Sequence, residues 1–416
     1  MPLRPRMNRI AILLGVVLFA ASSLPAADAA ALLSAAEARR LVDEVVPYVE
    51  QLRGLTFKQP VEVEVVDDAA MRDYVLARLA AFEQDEHLEI LQEAYRLLGL
   101  IPQEAKLIDL VLVAMEEQAG GYYDPGKKSY YLMDDVPQAA APIFTAHELT
   151  HALEDQHYDL DARLRSAIDN DDRALAMSAV HEGSATLLMS VYLAGAMLRG
   201  ELDPTALGEL AAGEAGKAEK LQAMPDVLVR QLIGPYILGA TFLSGGNLLN
   251  MAAGYPSEAI DRAMRSGPTS SEQILHPEKY WNEKQRDEPR KVKIPSPKKA
   301  LGRGWKLEGT GVLGELTLGS LVGAETPIMS AMPDPAGWTN AAASGWGGDL
   351  WQLWRRDGEL LLLLRIDWDS PADAVEFVEA LPAGGRLAIS RHEERVAIVA
   401  GEAGERAERL LARMLK

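Results

Sequence analysis

The chain contains no cysteine in its 416 residues. Disulfide bonds, a lipid on an N-terminal cysteine and a thiolate metal site are therefore excluded, and stability has to come from the hydrophobic core. Positive charge is also in short supply, since 42 Lys and Arg stand against 61 Asp and Glu and give a net charge of -19. Such an acidic surface argues against nucleic acid or an anionic membrane as a partner.

The apolar run near the N-terminus is short for a membrane span. It covers residues 10–20, follows three arginines and precedes Ala27-Asp28-Ala29, a small-x-small cleavage site. This order is typical of a secretory signal, which we place at residues 1–29, with an uncleaved anchor as the alternative. A second apolar stretch, residues 174–198, carries ionisable residues at its middle, which is costly in lipid. We therefore expect an exported protein, periplasmic or extracellular, with no other membrane span.

The chain has only seven histidines, and three of them fall within residues 146–157, which read A-H-E-L-T-H-A-L-E-D-Q-H. On a helix, His147 and His151 would project from one face with Cβ atoms about 5–6 Å apart, near enough to bind one metal ion. Glu148 would lie about a quarter-turn away, where it could take a proton from a water on that metal. Small and apolar neighbours indicate that this helix is packed against other elements.

Two residues could complete the metal site. Glu182 is the single carboxylate of the apolar stretch 174–198, and a carboxylate buried there must be paired or bound to a metal. His157 is the alternative, because His six residues after an H-E-x-x-H motif has the metzincin spacing. A Gly bends the chain between those residues in metzincins, but here the position is Glu154, a good helix former. A helix that continues through it turns His157 away from the metal, so the pattern favours Glu182.

The pattern His147-Glu148-x-x-His151 with Glu182 downstream resembles the gluzincin group of zinc metallopeptidases. The resemblance implies that two His and one Glu hold Zn2+ and that Glu148 is the catalytic base. It also implies a zincin-like fold, in which a sheet edge beside the metal helix binds an extended peptide by main-chain pairing. The chain departs from the pattern at Thr186, where many gluzincins carry an Asp that supports a ligand. The group that orients His147 is therefore not identified by the sequence.

Two further residues are candidates for stabilising the oxyanion of peptide-bond hydrolysis. Tyr236 follows a Gly-Pro pair that opens an apolar helix, and His276 lies on a predicted loop between residues 268 and 280. A Tyr or a His usually donates this hydrogen bond in peptidases of this type. Ordinary packing or capping is the alternative for both, because the sequence places neither residue in space.

The succession of patterns indicates an α+β chain of two domains. Residues 30–281 would form a mainly helical zincin-like domain with a small sheet and a hairpin, which aromatic pairs around an Asp-Pro-Gly turn mark near residue 125. Residues 282–304 are rich in basic residues and proline and predict a linker. Residues 305–416 would form a smaller α+β domain whose polar residues show no ligand spacing.

Local signals also predict individual elements. They are helices at 32–54, 201–223 and 371–381, a strand at 60–66, a helical stretch at 68–98 broken near Asp85, a polar loop from Asp159 to Asp172, a helix opening at Gly234 and a hairpin at 350–367.

The sequence thus predicts an exported zinc-dependent peptidase that acts on peptide or protein substrates, with Glu148 as general base. Zinc suits two imidazoles and one carboxylate with an open position better than softer or redox metals do. Two alternatives stay open. One is a catalytically silent zincin-like module that binds proteins or the cell wall, and the other is a zinc amidase acting on cell-wall peptides. Glu148 argues against the silent module, because a site without turnover has no need of that carboxylate.

Overall fold

The computed structural model describes residues 33–81, 85–116, 120–167, 169–201, 223–246, 254–323, 335–338, 340–382 and 386–416. Within these ranges the chain is α+β, with many helices and two sheets. None of the helices described has the length and apolar character needed to cross a membrane. The predicted signal at 1–29 and almost all of the predicted helix at 201–223 lie outside the described residues.

The N-terminal two thirds of the chain is mainly helical. Its helices are α1 (Ala35–Arg53), α2 (Asp68–Ala81), α3 (Asp85–Leu98), α4 (Leu107–Glu116), α5 (Ala141–Tyr158), α6 (Leu160–Ser166), α7 (Asp171–Leu198), α8 (Asp226–Leu243), α9 (Ser257–Arg265), α10 (Ser271–Leu275) and α11 (Glu278–Trp281). The prediction for α1 is confirmed, because Ser34 and Glu37 form a capping box and Gly54 ends the helix with φ 70°.

A three-stranded sheet lies beside the motif helix α5. It contains β1 (Glu62–Val66), β2 (Gly121–Asp124) and β3 (Ser129–Met133) in the order β1-β3-β2. β1 runs parallel to β3, and β2 pairs with β3 as the antiparallel hairpin that the sequence predicts. Side chains alternate across β2. Tyr122 therefore stacks between Tyr74 and Tyr131, whereas Tyr123 points the other way and hydrogen-bonds Asp155 on α5.

The backbones of helices α7 and α8 are in direct contact at two glycines. A Cβ on Gly239 would lie 1.8 Å from the carbonyl oxygen of Ala179, and a Cβ on Gly183 would lie 2.2 Å from the backbone of Gly239. Only glycine at both positions allows this packing. The contact fixes the part of α7 that carries Glu182 against the part of α8 that carries Tyr236.

Two local predictions are wrong. The expected loop from Asp159 to Asp172 contains helix α6, because the Asp159 side chain caps the amide of Ala162 and charged residues repeat at helical spacing. The helix expected to open at Gly234 begins eight residues earlier, so Pro235 lies inside it. Almost every residue of α8 is buried, and tertiary packing maintains the helix across a proline that usually starts one.

The C-terminal part is built on a five-stranded antiparallel sheet in the order β4-β5-β6-β8-β7. Its strands are β4 (Lys306–Gly311), β5 (Trp346–Arg356), β6 (Glu359–Trp368), β7 (Leu387–His392) and β8 (Arg395–Gly401), and its helices are α12 (Lys298–Leu301), α13 (Gly314–Val322), α14 (Pro371–Ala380) and α15 (Ala407–Met414). The predicted hairpin is confirmed. Asp357 and Gly358 both have positive φ at its turn, which suits the twist of the two strands.

The hydrophobic core continues from the helical part into the C-terminal part. Trp338 and Leu316 pack against α8 at Gly234. The basic segment 282–304 lies on the C-terminal sheet, where Arg290 donates from its amide to Gly347 and from its guanidinium to the carbonyl of Trp368. The C-terminal part therefore packs against α8, and a domain boundary at 282–304 stays a prediction.

Candidate metal centre

The motif residues lie on α5, one of the most deeply buried helices. Pro142 occupies its first turn, where a missing amide hydrogen costs nothing, and Asp159 ends it in the left-handed conformation. Nearly every side chain from Ala141 to Asp155 is buried. The helix continues unbroken through Glu154, and His147 and His151 share one face with ring centroids 4.8 Å apart.

Glu182 reaches this pair from α7, and the three side chains form a compact triad. Glu182 Oε2 lies 3.3 Å from Nε2 of His147 and 3.3 Å from Nε2 of His151, and the two nitrogens are 3.1 Å apart. All three residues are at most 4% exposed. The triad is thus a buried cluster that could hold a metal ion.

The triad's separations fit a tetrahedral metal better than they fit hydrogen bonding. In a zinc site with bonds of about 2.0–2.1 Å, ligand atoms lie about 3.3 Å apart. Hydrogen bonds alone cannot satisfy all three contacts, because protons on both nitrogens would make the nitrogen–nitrogen contact repulsive. A cation that accepts all three lone pairs removes this conflict.

Other buried polar atoms near the triad also lack hydrogen-bond partners among the described residues. They are Oε1 of Glu182, Nδ1 of His147, both carboxylate oxygens of Glu148 and the hydroxyl of Thr186. Burying such groups without partners is costly, and they concentrate where ligands or water bind. Among the described residues no group orients His147 through its Nδ1, so the partner of this ring stays unidentified.

Two of the three triad residues, His147 and Glu182, have the charge states that metal ligands need. Burial lowers the pKa of His147 to about 4, which leaves its ring neutral as a metal ligand must be. Burial alone would raise the pKa of Glu182, but the charge of His151 and two hydrogen bonds hold it at about 2. Burial would lower the pKa of His151, yet the Glu182 carboxylate raises it to about 9. Metal binding would therefore release a proton from His151.

Glu148 is fully buried beside the triad and does not belong to it. Burial raises the pKa of Glu148 to about 8; His151 opposes this rise and Glu182 adds to it. The backbone amide of Tyr123 on β2 lowers this pKa without reaching hydrogen-bonding geometry. A buried carboxyl beside the triad is placed where it could accept and return a proton, as a general base does.

The other predicted site residues lie in three different surroundings. His157 points away from the triad and donates from Nε2 to the carbonyl of Thr56 at 2.8 Å, so the structure brings Glu182 and not His157 to the histidines. The Tyr236 ring lies nearly parallel to that of His147 with centroids 6.0 Å apart. His276 lies between the short helices α10 and α11 and bonds Glu315 at 2.9 Å. The structure therefore places Tyr236, and not His276, beside a ligand.

The contact between the hairpin and α5 was not predicted from the sequence. Asp155 accepts hydrogen bonds from the hydroxyl of Tyr123 at 2.8 Å and from the ammonium of Lys128 at 2.6 Å. Its other oxygen accepts the amide of Leu160. Asp155 follows His151 by one helical turn, so it fixes the edge strand β2 relative to the metal helix. The feature of the sequence that could have indicated this contact is Asp155, an acidic residue one helical turn after His151.

A second group of three acidic residues has the composition of a metal site, but a lysine ammonium lies among its carboxylates. Glu272, Asp287 and Asp369 surround the ammonium of Lys279, which lies 2.6, 3.0 and 3.2 Å from their oxygens. The positive charge at the centre already compensates the carboxylates. This group is an ion-pair network that joins the helical part to the C-terminal sheet.

A known family matches only the C-terminal part of the chain. Residues 305–397 match a domain of unknown function (DUF8575), which spans the sheet from β4 into β8 and stops well short of the triad. Comparison with curated proteins and with solved structures gave no match. The chemistry of the triad therefore has to be argued from its own geometry.

Proposed function

We propose that this chain is an exported zinc metallopeptidase of the gluzincin type, which hydrolyses peptide bonds in peptide or protein substrates. The observation that carries the proposal is the buried triad of His147, His151 and Glu182, whose three ligand atoms lie 3.1–3.3 Å apart. Glu148, with both carboxylate oxygens unpartnered among the described residues, lies beside it. A site that only bound a structural ion would have no use for that buried acid.

His147, His151 and Glu182 would hold the ion, and zinc is favoured because two imidazoles and a carboxylate are its common catalytic ligand set. When bound, zinc would supply a Lewis acid that polarises the scissile carbonyl and lowers the pKa of water. Glu148 would take the proton of the attacking water and pass it to the leaving amine. Tyr236 is the favoured donor to the oxyanion, because its ring lies beside His147.

The outer edge of β2 is the favoured place for the substrate, although all four residues of this strand are buried in the structure. Met133 donates its amide to Gly120, so by antiparallel alternation the backbone groups of Gly121 and Tyr123 face away from β3. No strand among the described residues pairs with this edge. Because the amide of Tyr123 also faces Glu148, a peptide added to β2 would run beside the proposed base.

The proposal is tested with a fluorogenic peptide library, with and without a chelator, on the wild-type chain and on Glu148→Gln. We expect chelator-sensitive cleavage by the wild type and a loss of about 10²–10⁴-fold in the variant, because a general base is removed. Zinc content should stay at the wild-type level, since Glu148 is not a ligand. Glu62→Gln, which alters a glutamate that is 77% exposed on β1, is the matched control and should retain full activity.

The same assay separates the two alternatives. A chain that binds zinc but cleaves no peptide and no cell-wall fragment would contradict the proposal and support a silent binding module. Cleavage restricted to cell-wall peptides would instead support the zinc amidase.

A further inference from the structure

A second buried contact joins α5 to α7 close to the triad. Glu154 Oε1 accepts hydrogen bonds from the hydroxyl of Ser184 at 2.6 Å and from Nε of Arg53 at 2.7 Å. All three residues are at most 1% exposed. Glu154 follows the ligand His151 by three positions, and Ser184 follows the ligand Glu182 by two. The contact belongs to the same two helices as the triad but takes no part in the proposed chemistry.

Helical geometry places this contact and the triad on different sides of α7. Two positions along a helix correspond to about 200° of rotation, so Glu182 and Ser184 leave α7 on opposite flanks. On α5, His151 and Glu154 are three positions apart and share one face. Helix α5 is thus joined to one flank of α7 through Glu182 and to the other flank through Ser184. Rotation of α7 about its axis, which would move the Glu182 carboxylate, has to break the Glu154–Ser184 contact.

Further partners, buried or partly buried, surround Glu154 and Ser184. Arg53, at the end of α1, pairs with Glu154 and with Asp261 on α9, each at 2.7 Å. The hydroxyl of Tyr255 lies 2.6 Å from that of Ser184. The contact between Nε of Arg53 and Oε1 of Glu154 resists separation, because breaking this buried pair would leave an uncompensated charge in the interior. The carboxylate of Glu154 is therefore a fixed acceptor to which Ser184 holds α7.

We propose that Glu154 and Ser184, with Arg53 behind them, are positioning residues that hold Glu182 in register with the two histidines and so set the affinity and geometry of the metal centre. The inference rests on the proposed metal site. Glu154 and Ser184 would thus support a metal ligand. Thr186 does not do so, since the buried hydroxyl of Thr186 has no partner among the described residues.

The test measures metal binding directly, by titrating the metal-free full chain with Co2+ and recording the visible absorption of the bound ion. Ser184→Ala removes one hydroxyl and leaves the Glu154–Arg53 pair intact. We expect Co2+ to bind about 10-fold more weakly, the usual lower bound for losing a group that supports a ligand, and the absorption bands to shift. Ser190→Ala is the matched control, because that hydroxyl lies on the same helix and, among the described residues, bonds the carbonyl of Thr186 within that helix and nothing else. It should match the wild type in both measurements.

Glu154→Gln provides a second variant, which keeps the shape of the side chain and should weaken Co2+ binding at least as much. If Ser184→Ala binds Co2+ with wild-type affinity and an unchanged spectrum, the positioning role is overturned, even if its melting temperature falls. A wild-type chain that binds neither Co2+ nor Zn2+ would overturn the proposed function as well. The two failures are therefore distinguishable.

Discussion

Tyr236 and His276 are equal candidates for the oxyanion donor in the sequence, and their surroundings separate them. Tyr236 packs its ring beside the ligand His147, on a helix that contacts the ligand-bearing α7 throughout. His276 is held by Glu315, and this bond and charge raise its pKa although burial opposes the rise. A ring committed to a buried carboxylate is poorly suited to donate to a substrate oxygen.

Replacing Tyr236 by Phe should therefore lower kcat by about 10²–10³-fold, the usual effect of removing one oxyanion donor. KM and zinc content should change little, because the hydroxyl would act mainly on the charge that develops during the reaction. Steady-state kinetics and elemental analysis provide the measurement. His276→Gln is the comparison and should stay near the wild-type kcat; a loss of similar size in both variants would contradict the assignment.

At the residue scale, the triad could be predicted because short stretches of sequence mark each of its residues. His147 and His151 are one turn apart on a helix, and Glu182 is the single acid of an apolar stretch. The Glu154–Ser184 contact could not be found in the same way. Arg53, Glu154 and Ser184 are far apart in the chain, and each alone has an ordinary explanation, such as a basic residue in the last turn of a helix for Arg53.

The metal centre depends most on the packing of helices α7 and α8. These helices are in contact at Gly183 and Gly239. Gly239→Ala should destabilise the chain by about 3 kcal/mol, because the new Cβ would overlap a carbonyl oxygen and force the helices apart. Chemical denaturation gives the free energy of unfolding. Metal affinity should fall together with stability, since Glu182 precedes Gly183 on the displaced helix.

Gly195→Ala is the control for this prediction. It lies on the same helix, and its new Cβ would meet only the flexible end of Arg199. Alanine is the better helix former, so this change should be neutral or stabilising by up to about 1 kcal/mol. Equal destabilisation by both substitutions would show that the close contact between α7 and α8 is not what requires Gly239.

At the element scale, the sequence predicted those helices and hairpins whose ends are marked by local chemistry. Ser34 and Gly54 bound α1, and Asp357-Gly358 sets the turn between β5 and β6. The failures are positions where burial overrides a local signal. Pro235 indicated the start of a helix, but α8 is packed on several sides and continues through it.

Across the whole molecule, a buried group of acids joins the helical part to the C-terminal part. Asp172, at the start of α7, accepts the amide of Ser271 on α10. Asp349 on β5 accepts the amides of Leu313 and Gly314, which begin α13. Glu315 follows on that helix and is also buried. Three carboxyl groups close together in the interior cannot all ionise without cost.

This group makes stability depend on pH. Burial raises the pKa of Asp172 to about 8, and the charges of Asp349 and Glu315 raise it further, whereas hydrogen bonds from Ser271 oppose the rise. In the unfolded chain an Asp releases its proton near pH 4, so between about pH 4 and 8 the folded state binds more protons. Stability should therefore fall as pH rises through this window, by at most about 1.4 kcal/mol per pH unit for one group.

Asp172→Asn should reduce this slope and make the chain more stable than the wild type at pH 8, because the amide carries no charge to bury. Urea unfolding at pH 5, 6.5 and 8 gives the comparison. Asp43→Asn, at a side chain that is 62% exposed on α1, should leave the slope unchanged. A slope in Asp172→Asn equal to that of the wild type would show that Asp172 does not hold the proton.

At this scale the sequence predicted an α+β chain with the motif in its helical part, and the structure agrees. It did not predict that the core continues past residues 282–304. That continuity depends on contacts such as Trp338 against α8, between residues about a hundred positions apart. The residue composition changes near residues 282–304, but composition does not indicate which surfaces pack together.

The most direct test of the central claim is elemental analysis of the purified chain, made on the wild type, Glu182→Ala and His157→Ala. The wild type should contain about one zinc ion per chain, Glu182→Ala should lose most of it, and His157→Ala should retain it, because the carboxylate completes the triad and His157 faces Thr56. A wild-type chain without metal, or a Glu182→Ala chain that keeps its zinc while His157→Ala loses it, would contradict the account.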